Sequence, residues 1–383
     1  MIEKIHIQNF KSIYDLELEV GRVNLFIGEN GSGKSNLLEA LVFVSASESN
    51  MLANEFLVSR GLRVPEPNLM RSAFDVEDKD GNIFIDILLS SGKFMECYTL
   101  SNDNEEYSLW ENDKIRSYYT PPEYLRKSLM EVDKRKNSLS EEEFRIKRYE
   151  IYDKMMNDME ILNKEKLINF LIYSPENTSL RVFQKEGQIQ PLGINGEGLL
   201  KLLQVINNYE DKSYINTIVE SLQLFNWFED ITIPTDSLEN IVVIKDKYLY
   251  REFTQQSANE GFLFILFYIT LIVAKETPKA FTIDNIDASL NPKLCTKLMT
   301  ILTDLAKKYD KQIFLTTHNP AILDGIDLND EEQKLFVVSR NKKGHTRMKE
   351  ITAKDKPKSS DNEPLHLSEA FMRGYLGGLP KGF

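Results

Sequence analysis

Hydrophobic and polar residues alternate from the start of the chain. Ile2 to Ile7 reads with period two, and so do Leu16, Leu18 and Val20 within Tyr14–Val20. That period places one face of a strand on a core. Asn9-Phe10-Lys11-Ser12 between them reads as a turn. Val23 to Ile27 is an apolar run, predicting a buried strand, and Asn36 to Phe43 then takes up a helical pattern. Further short strands are predicted over Ile83–Leu89, Phe94–Leu100 and Glu106–Trp110. Asp80-Gly81, Ser91-Gly92 and Asn102-Asp103-Asn104 punctuate them as hairpin turns.

The pattern changes after residue 120. Glu123 to Phe170 is dense in charge and has no glycine or proline. Two helices are predicted, Glu123–Lys136 and Glu141–Phe170, folded back near Asn137-Ser138. Ser140 followed by Glu143 forms a capping box at the second. Lys134, Arg135, Lys136, Arg145, Lys147 and Arg148 make this insertion locally basic, with acidic residues interleaved. It reads either as a solvated helical arm or as one that grips a partner or DNA.

Strands and helices alternate in the second half. Ile172-Tyr173-Ser174 returns to strand, and a helix runs over Leu199–Ile206. Ile241–Ile244 and Tyr248–Tyr250 are predicted as a hairpin around Asp246-Lys247. Gly261–Ala274 is the longest apolar run, short of the ~20 residues a membrane helix needs, and reads as a buried helix. Strand Ala280–Ile283, helix Pro292–Tyr309, strand Ile313–Thr316 and strand Leu335–Ser339 follow. Such alternation predicts parallel strands with crossovers. Lys354 to Glu363 is a polar tether before a last helix.

Chemistry enters at the end of the third strand. Gly28-Glu29-Asn30-Gly31-Ser32-Gly33-Lys34-Ser35 fits G-x-x-x-x-G-K-S/T between a strand and a helix. Glycines let backbone N–H groups curl around phosphate oxygens, and the new helix adds its positive end. Lys34 can reach terminal phosphates, and Ser35 can offer a hydroxyl to Mg²⁺. A distant acid is needed for the metal shell. Asp284, ending the apolar strand Ala280–Ile283, supplies it. His318 ends a later strand within Thr316-Thr317-His318-Asn319-Pro320.

Composition narrows the classes. The formal net charge is −12, so any DNA contact must be a local basic patch. Two distant cysteines and four scattered histidines exclude a disulfide framework and a zinc cluster. No signal-like segment precedes the first strand, so a cytoplasmic, non-membrane protein is expected.

These motifs resemble the bacterial AAA-family ATPases of the ABC/SMC/RecF/OLD type. The resemblance is to a head-only form, Septu-like or OLD-like without a TOPRIM domain, often encoded in anti-phage defence operons. Ile5 to Ser12 resembles the family's first strand, and Gly28 to Asn36 its G-x-N-G-S/A-G-K-S/T-N loop. Asp284 to Pro292 resembles D-E-P-E-x-x-L-H-P, with Asn285 replacing the first Glu and Asn291 the His. Ala288-Ser289-Leu290 falls in the D-loop, and Thr317 to Pro320 resembles T-H-S/N-P. The resemblance covers roughly 1–45 and 170–383.

What the resemblance implies is an α/β fold: an ABC/SMC-type P-loop ATPase head with a mixed β-sheet lobe, a parallel-sheet core and an inserted helical hairpin. The expected divisions are 1–120 with the P-loop, 121–170 as the hairpin, 171–350 as the second lobe and 351–383 as the tail. ATP and Mg²⁺ are the implied cofactors. Asn30, Gly31, Ser32, Gly33, Lys34, Ser35 and Asn36 would hold the nucleotide, and Ser35 and Asp284 the metal. His318 would be the switch histidine.

Asn285 can orient water but cannot take its proton, so slow hydrolysis is expected. Asp287, two residues on, is a displaced substitute base. A Ser-x-Gly element that meets the opposite subunit's γ-phosphate is represented either by Asn259-Glu260-Gly261 or by Ser257. A plain capped helix start is the other reading of the same residues. Asn177 is a weak candidate for the glutamine-loop residue. A homodimer or higher homo-oligomer is implied. The tail from Asp324 is too short for a nuclease domain, so an HNH or TOPRIM-type effector would come from a neighbouring gene. A RecF/SMC-like repair or DNA-binding ATPase is the alternative.

Overall fold

The computed structural model of the chain describes residues 1–74, 80–89, 94–121, 123–163, 167, 169–183, 185–236, 239–357 and 365–379. The predicted Ser91-Gly92 turn, the end of the second inserted helix and most of the 354–363 tether lie outside the described residues.

Strands β1 (Ile2–Phe10) and β2 (Ile13–Glu19) form a hairpin, and β3 (Val23–Gly28) leaves it for a second sheet. β4 (Ile83–Leu89), β5 (Phe94–Ser101) and β6 (Glu111–Tyr119) complete an antiparallel sheet ordered β2-β1-β4-β5-β6. The strand expected over Glu106–Trp110 is instead a turn. Tyr107 takes a left-handed φ of 66° and is 97% exposed, which breaks the apparent alternation. Only Trp110 turns inward, edge-on to Phe43 at 5.2 Å.

The second sheet carries the glycine-rich loop at the end of β3. With β7 (Ile172–Tyr173), β11 (Ala280–Ile283), β12 (Gln312–Thr317), β13 (Gln333–Arg340) and β14 (Thr346–Ile351), its order is β14-β13-β3-β12-β11-β7. All neighbours pair in parallel except β13 and β14. Both faces are covered, which explains the nearly continuous apolar runs. Leu25, Ile313 and Leu315 face one core, while Phe26 and Phe314 face the other. A third sheet joins β8 (Phe228–Thr232), β9 (Val243–Asp246) and β10 (Phe253–Thr254) in the order β10-β9-β8. The expected second arm at Tyr248–Tyr250 is not a strand. Asp246 Oδ1 accepts from the Tyr248 N–H at 2.8 Å and closes a turn there, leaving both tyrosines exposed.

Helix α1 (Lys34–Glu48) is buried between the first two sheets. Short helices α2 (Asn54–Ser59) and α3 (Pro67–Met70) follow. The inserted hairpin is α4 (Glu123–Lys134), which ends before the predicted Lys136, and α5 (Glu141–Asn163). Its capping box is present: Glu143 N–H donates to Ser140 Oγ at 3.2 Å, and Ser140 N–H to Glu143 Oε2 at 3.0 Å. Leu125, Ile151 and Met155 form a small core of its own. Helices α6 (Leu199–Asn207), α7 (Ser213–Leu222), α8 (Glu260–Val273) and α9 (Pro292–Lys308) cover the other face of the parallel sheet, and α10 (Leu367–Met372) ends the described chain. Among the described residues no helix is long and apolar enough to cross a membrane.

One buried cation gives the fold a pH signature. Lys311 donates to the Thr277 carbonyl and hydroxyl, both at 2.9 Å, and to the Pro278 carbonyl at 3.2 Å. Burial, helped by Lys279, pushes its pKa down to about 8 against the pull of Glu276 and Asp310. Between that value and the ordinary 10.5, the folded chain has released a proton that the unfolded chain keeps. Stability from this group therefore rises with pH across the window. Urea unfolding should show a gain of about 2 kcal/mol from pH 8 to pH 10 that is missing in Lys311→Met. An identical pH dependence in the variant would refute it.

Candidate functional site

The loop between β3 and α1 emerges beside the ends of β12 and β11, where ligands settle in parallel sheets. Gly31 and Gly33 have φ of 75° and 104°. At Gly33 a Cβ would lie 2.0 Å from Thr346 Oγ1, so a side chain there is excluded. Gly33 is also the N-cap of α1 and offers no side-chain cap, leaving the helix's first N–H groups for a ligand. Lys34 is buried, with Nζ donating to the carbonyls of Gly28 at 2.9 Å and Glu29 at 3.0 Å. Burial lowers its pKa, and Asp284, Asp287 and Glu29 act to raise it.

A cleft of about 310 Å³ opens over this loop. Asn30, Gly31, Gly33, Lys34, Ser35 and Asn36 line one side, and Asp284, Asn285 and His318 the other. Ser32 lies behind the loop, its buried hydroxyl without a hydrogen-bond partner. Thr316 organises the far wall. Its hydroxyl donates to Asp284 Oδ1 and accepts the Asn285 N–H at 2.9 Å. Asn285 has a left-handed φ of 54°, a conformation asparagine tolerates better than most residues. Burial and Lys34 lower the pKa of His318 against Asp287 and Asp284, so its ring is neutral at neutral pH.

Three predicted groups stand elsewhere. Asp287 does not line the cleft; its Oδ1 accepts from Thr317 Oγ1 at 2.6 Å and from the His318 N–H at 3.3 Å. It anchors the histidine's backbone. Asn259, Glu260 and Gly261 line a separate hollow of about 720 Å³ with Trp227, Ser289 and Lys293. Asn259 caps α8, accepting the Phe262 N–H at 2.8 Å, and Ser289 Oγ donates to Glu260 at 2.9 Å. Ser257 is exposed and lines neither hollow. Asn177 is turned onto Arg181; Ser174, following the Tyr173 carbonyl that accepts the Asp284 N–H at 2.9 Å, stands level with Asp284 instead.

Two arginines were not legible in the motifs. Arg63 and Arg340 both line the cleft. Arg340 Nε donates to the Gly31 carbonyl at 2.7 Å. Arg63 Nε donates to Glu39 Oε1 at 2.6 Å, and Lys11 Nζ pairs with the same buried carboxylate. Asn36, Ser12, Thr346 and the Ser32 carbonyl form a hydrogen-bond chain of 2.6, 2.6 and 2.9 Å behind the loop. The Asn9–Ser12 opening hinted at Ser12, but nothing local marks Thr346 or the arginines. Glu39→Ala should strip a largely buried lysine of its counter-charge and cost about 3 kcal/mol in denaturant unfolding. A loss below 1 kcal/mol would show that Lys11 is hydrated.

Fold and site together define a P-loop ATPase head of the ABC/SMC/RecF type. Residues 4–260 match the AAA domain family, and the chain belongs to it. Local likeness extends to known proteins. The chain is 46% identical over 67 residues to an uncharacterised protein of Methanocaldococcus jannaschii, covering 16% of this chain and 31% of that one. It is 38% identical over 91 residues to the DNA replication and repair protein RecF of Porphyromonas gingivalis, 24% of each chain. The chain thus spans under a third of these relatives. In fold it is similar to an SMC head bound to the C-winged helix domain of ScpA, with a TM-score of 0.58, 13% identity and coverage of 92% and 98%. An SMC head from Pyrococcus furiosus with an extended coiled coil gives 0.50, at 14% identity and coverage of 92% and 96%.

Proposed function

We propose that this chain is an ATP-operated head that closes on a second copy, with nucleotide held between the P-loop of one copy and Asn259-Glu260-Gly261 of the other. The observation that carries this is the separation of the two elements. The cleft holds the phosphate loop, Asp284 and His318 but no residue of 257–261. The helix-capping element opens a different hollow of its own.

The residues fit ATP and Mg²⁺. Uncapped N–H groups at α1 and the Lys34 ammonium suit a polyphosphate. Ser35 and Asp284 would hold Mg²⁺, which when bound neutralises charge on the phosphate oxygens. A neighbouring hollow of about 490 Å³ shares Asn36, Arg63 and Arg340 and continues along Pro65, Leu69 and Phe74, a mixed surface suited to the nucleoside. His318, neutral, can donate to a terminal phosphate. Asn285 would orient water without accepting its proton, so the closed state is long-lived.

Light scattering with a non-hydrolysable ATP analogue and Mg²⁺ tests the reading. The mass should double with the analogue and stay single without it. A monomer at micromolar concentration with analogue bound would exclude the sandwich.

Two finer roles follow from such a head in the cytoplasm. A long-lived closed dimer suits scaffolding of an effector, such as an HNH or TOPRIM-type nuclease, in anti-phage defence. The SMC head bound to a ScpA domain is a precedent for a protein partner. The RecF-like segment favours a DNA-repair or DNA-binding role at least as well. Co-purification with a nuclease encoded next door supports the first; ATP-dependent duplex binding by this chain alone supports the second.

A further inference from the structure

Arg181 ends a single 3₁₀ turn, Ser179–Arg181, and uses all five of its N–H donors. Nε and Nη2 grip Asn177 Oδ1 at 3.0 and 2.8 Å. Nη1 donates to the carbonyls of Gln255 at 2.8 Å and Gln256 at 2.7 Å, and Nη2 to that of Ala258 at 2.8 Å. Gln256 Nε2 returns a bond to the Arg181 carbonyl at 3.1 Å. The three carbonyls belong to the segment that delivers Asn259 to the start of α8. The other end of the connection is the short strand β7. Its Tyr173 carbonyl accepts the Asp284 N–H at 2.9 Å, and 174–177 continue directly from it. A planar guanidinium therefore ties the segment beside the proposed metal ligand to the element proposed to meet the opposite nucleotide. Lysine has three donors on one nitrogen and cannot span these acceptors.

We propose that Arg181 is a positioning residue that sets Asn259-Glu260-Gly261 for the second copy, so that dimer closure, and not nucleotide binding in its own cleft, depends on it. This rests on the head-to-head reading given above. Arg181 touches no residue of the cleft, and its bonds lie wholly on the side of the lobe that carries α8. Loss of the fork would leave the P-loop, Asp284 and His318 as they are and free the 255–258 carbonyls to turn. Asn177→Ala removes two of the five bonds and should act in the same direction, less strongly.

The test uses the full chain, a fluorescent ATP analogue for affinity and sedimentation for dimerisation. In Arg181→Ala and Arg181→Lys, nucleotide affinity should stay within about twofold while the dimerisation constant weakens at least tenfold. Mixing then separates positioning from mere folding damage. A Lys34→Ala copy has no working P-loop but an intact α8 start; an Arg181→Ala copy has the reverse. Together they build one complete site, so the mixture should recover analogue-dependent dimers that neither variant forms alone. Failure to recover, or an equal loss of nucleotide affinity in Arg181→Ala, overturns the assignment. So does an Arg181→Ala that dimerises like wild type. A wild type that stays monomeric removes the head-to-head reading and this inference with it.

Discussion

Asn285→Glu is expected to raise steady-state ATP hydrolysis by about 10²-fold or more, the usual worth of general-base help. The position lies at the end of β11, on the cleft wall opposite Lys34, with its N–H fixed to Thr316. A carboxylate there can accept the proton of the attacking water, which the amide cannot. The backbone sets a cost: at φ 54° a glutamate is strained by about 1 kcal/mol relative to asparagine. The variant should therefore melt slightly earlier while turning over faster, and hydrolysis must be compared below both transitions. The structure also changes what is expected of Asp287. Bonded to Thr317 and the His318 N–H, it holds the loop that carries His318. Asp287→Ala should lower turnover by misplacing His318, whereas Asp287→Asn keeps an acceptor and should stay within about threefold of wild type. Brisk wild-type hydrolysis that collapses in Asp287→Asn would make Asp287 the base and overturn the slow-turnover reading.

Lys34→Ala should weaken Mg²⁺–ATP binding by about 10- to 10⁴-fold, from the loss of one or two charge-assisted bonds of about 1.5–3 kcal/mol each. The ammonium is bonded to two loop carbonyls, so the alanine variant leaves only those carbonyls to water. Its unfolding midpoint should barely move. Titration with a fluorescent ATP analogue reads the affinity directly. Binding at wild-type strength would show that the loop does not receive the phosphates through Lys34.

Much of this was visible in the linear pattern because the responsible constraints are local. A strand buried on both faces must be apolar throughout, as Val23–Ile27 and Ala280–Ile283 are. A phosphate loop needs glycines at left-handed positions, and Gly31 and Gly33 take them. Where the reading failed, side-chain type imitated a strand that backbone geometry refused. Tyr107 and the Tyr248–Tyr250 tip are aromatic and alternate plausibly, yet a left-handed residue and an Asp246 turn hold them in solvent. The pairing of β8 with β9 depends on residues far from the tip, so no local pattern announced it.

The sequence by itself determined the phosphate loop, the aspartate that ends β11, the asparagine after it and the alternation of parallel strands with helices, since each follows from residue type at short spacing. Only the tertiary structure decided which distant groups join them. Arg63 and Arg340 reach the cleft from the connection between α2 and α3 and from the end of β13. Thr346 backs the loop from β14, and Asp287 is turned away from the cleft by Thr317 and His318. Those placements are set by sheet order and by where buried partners such as Glu39 sit. They join residues from 24 to 314 positions apart, are fixed by packing and charge pairing, and no spacing along the chain encodes them.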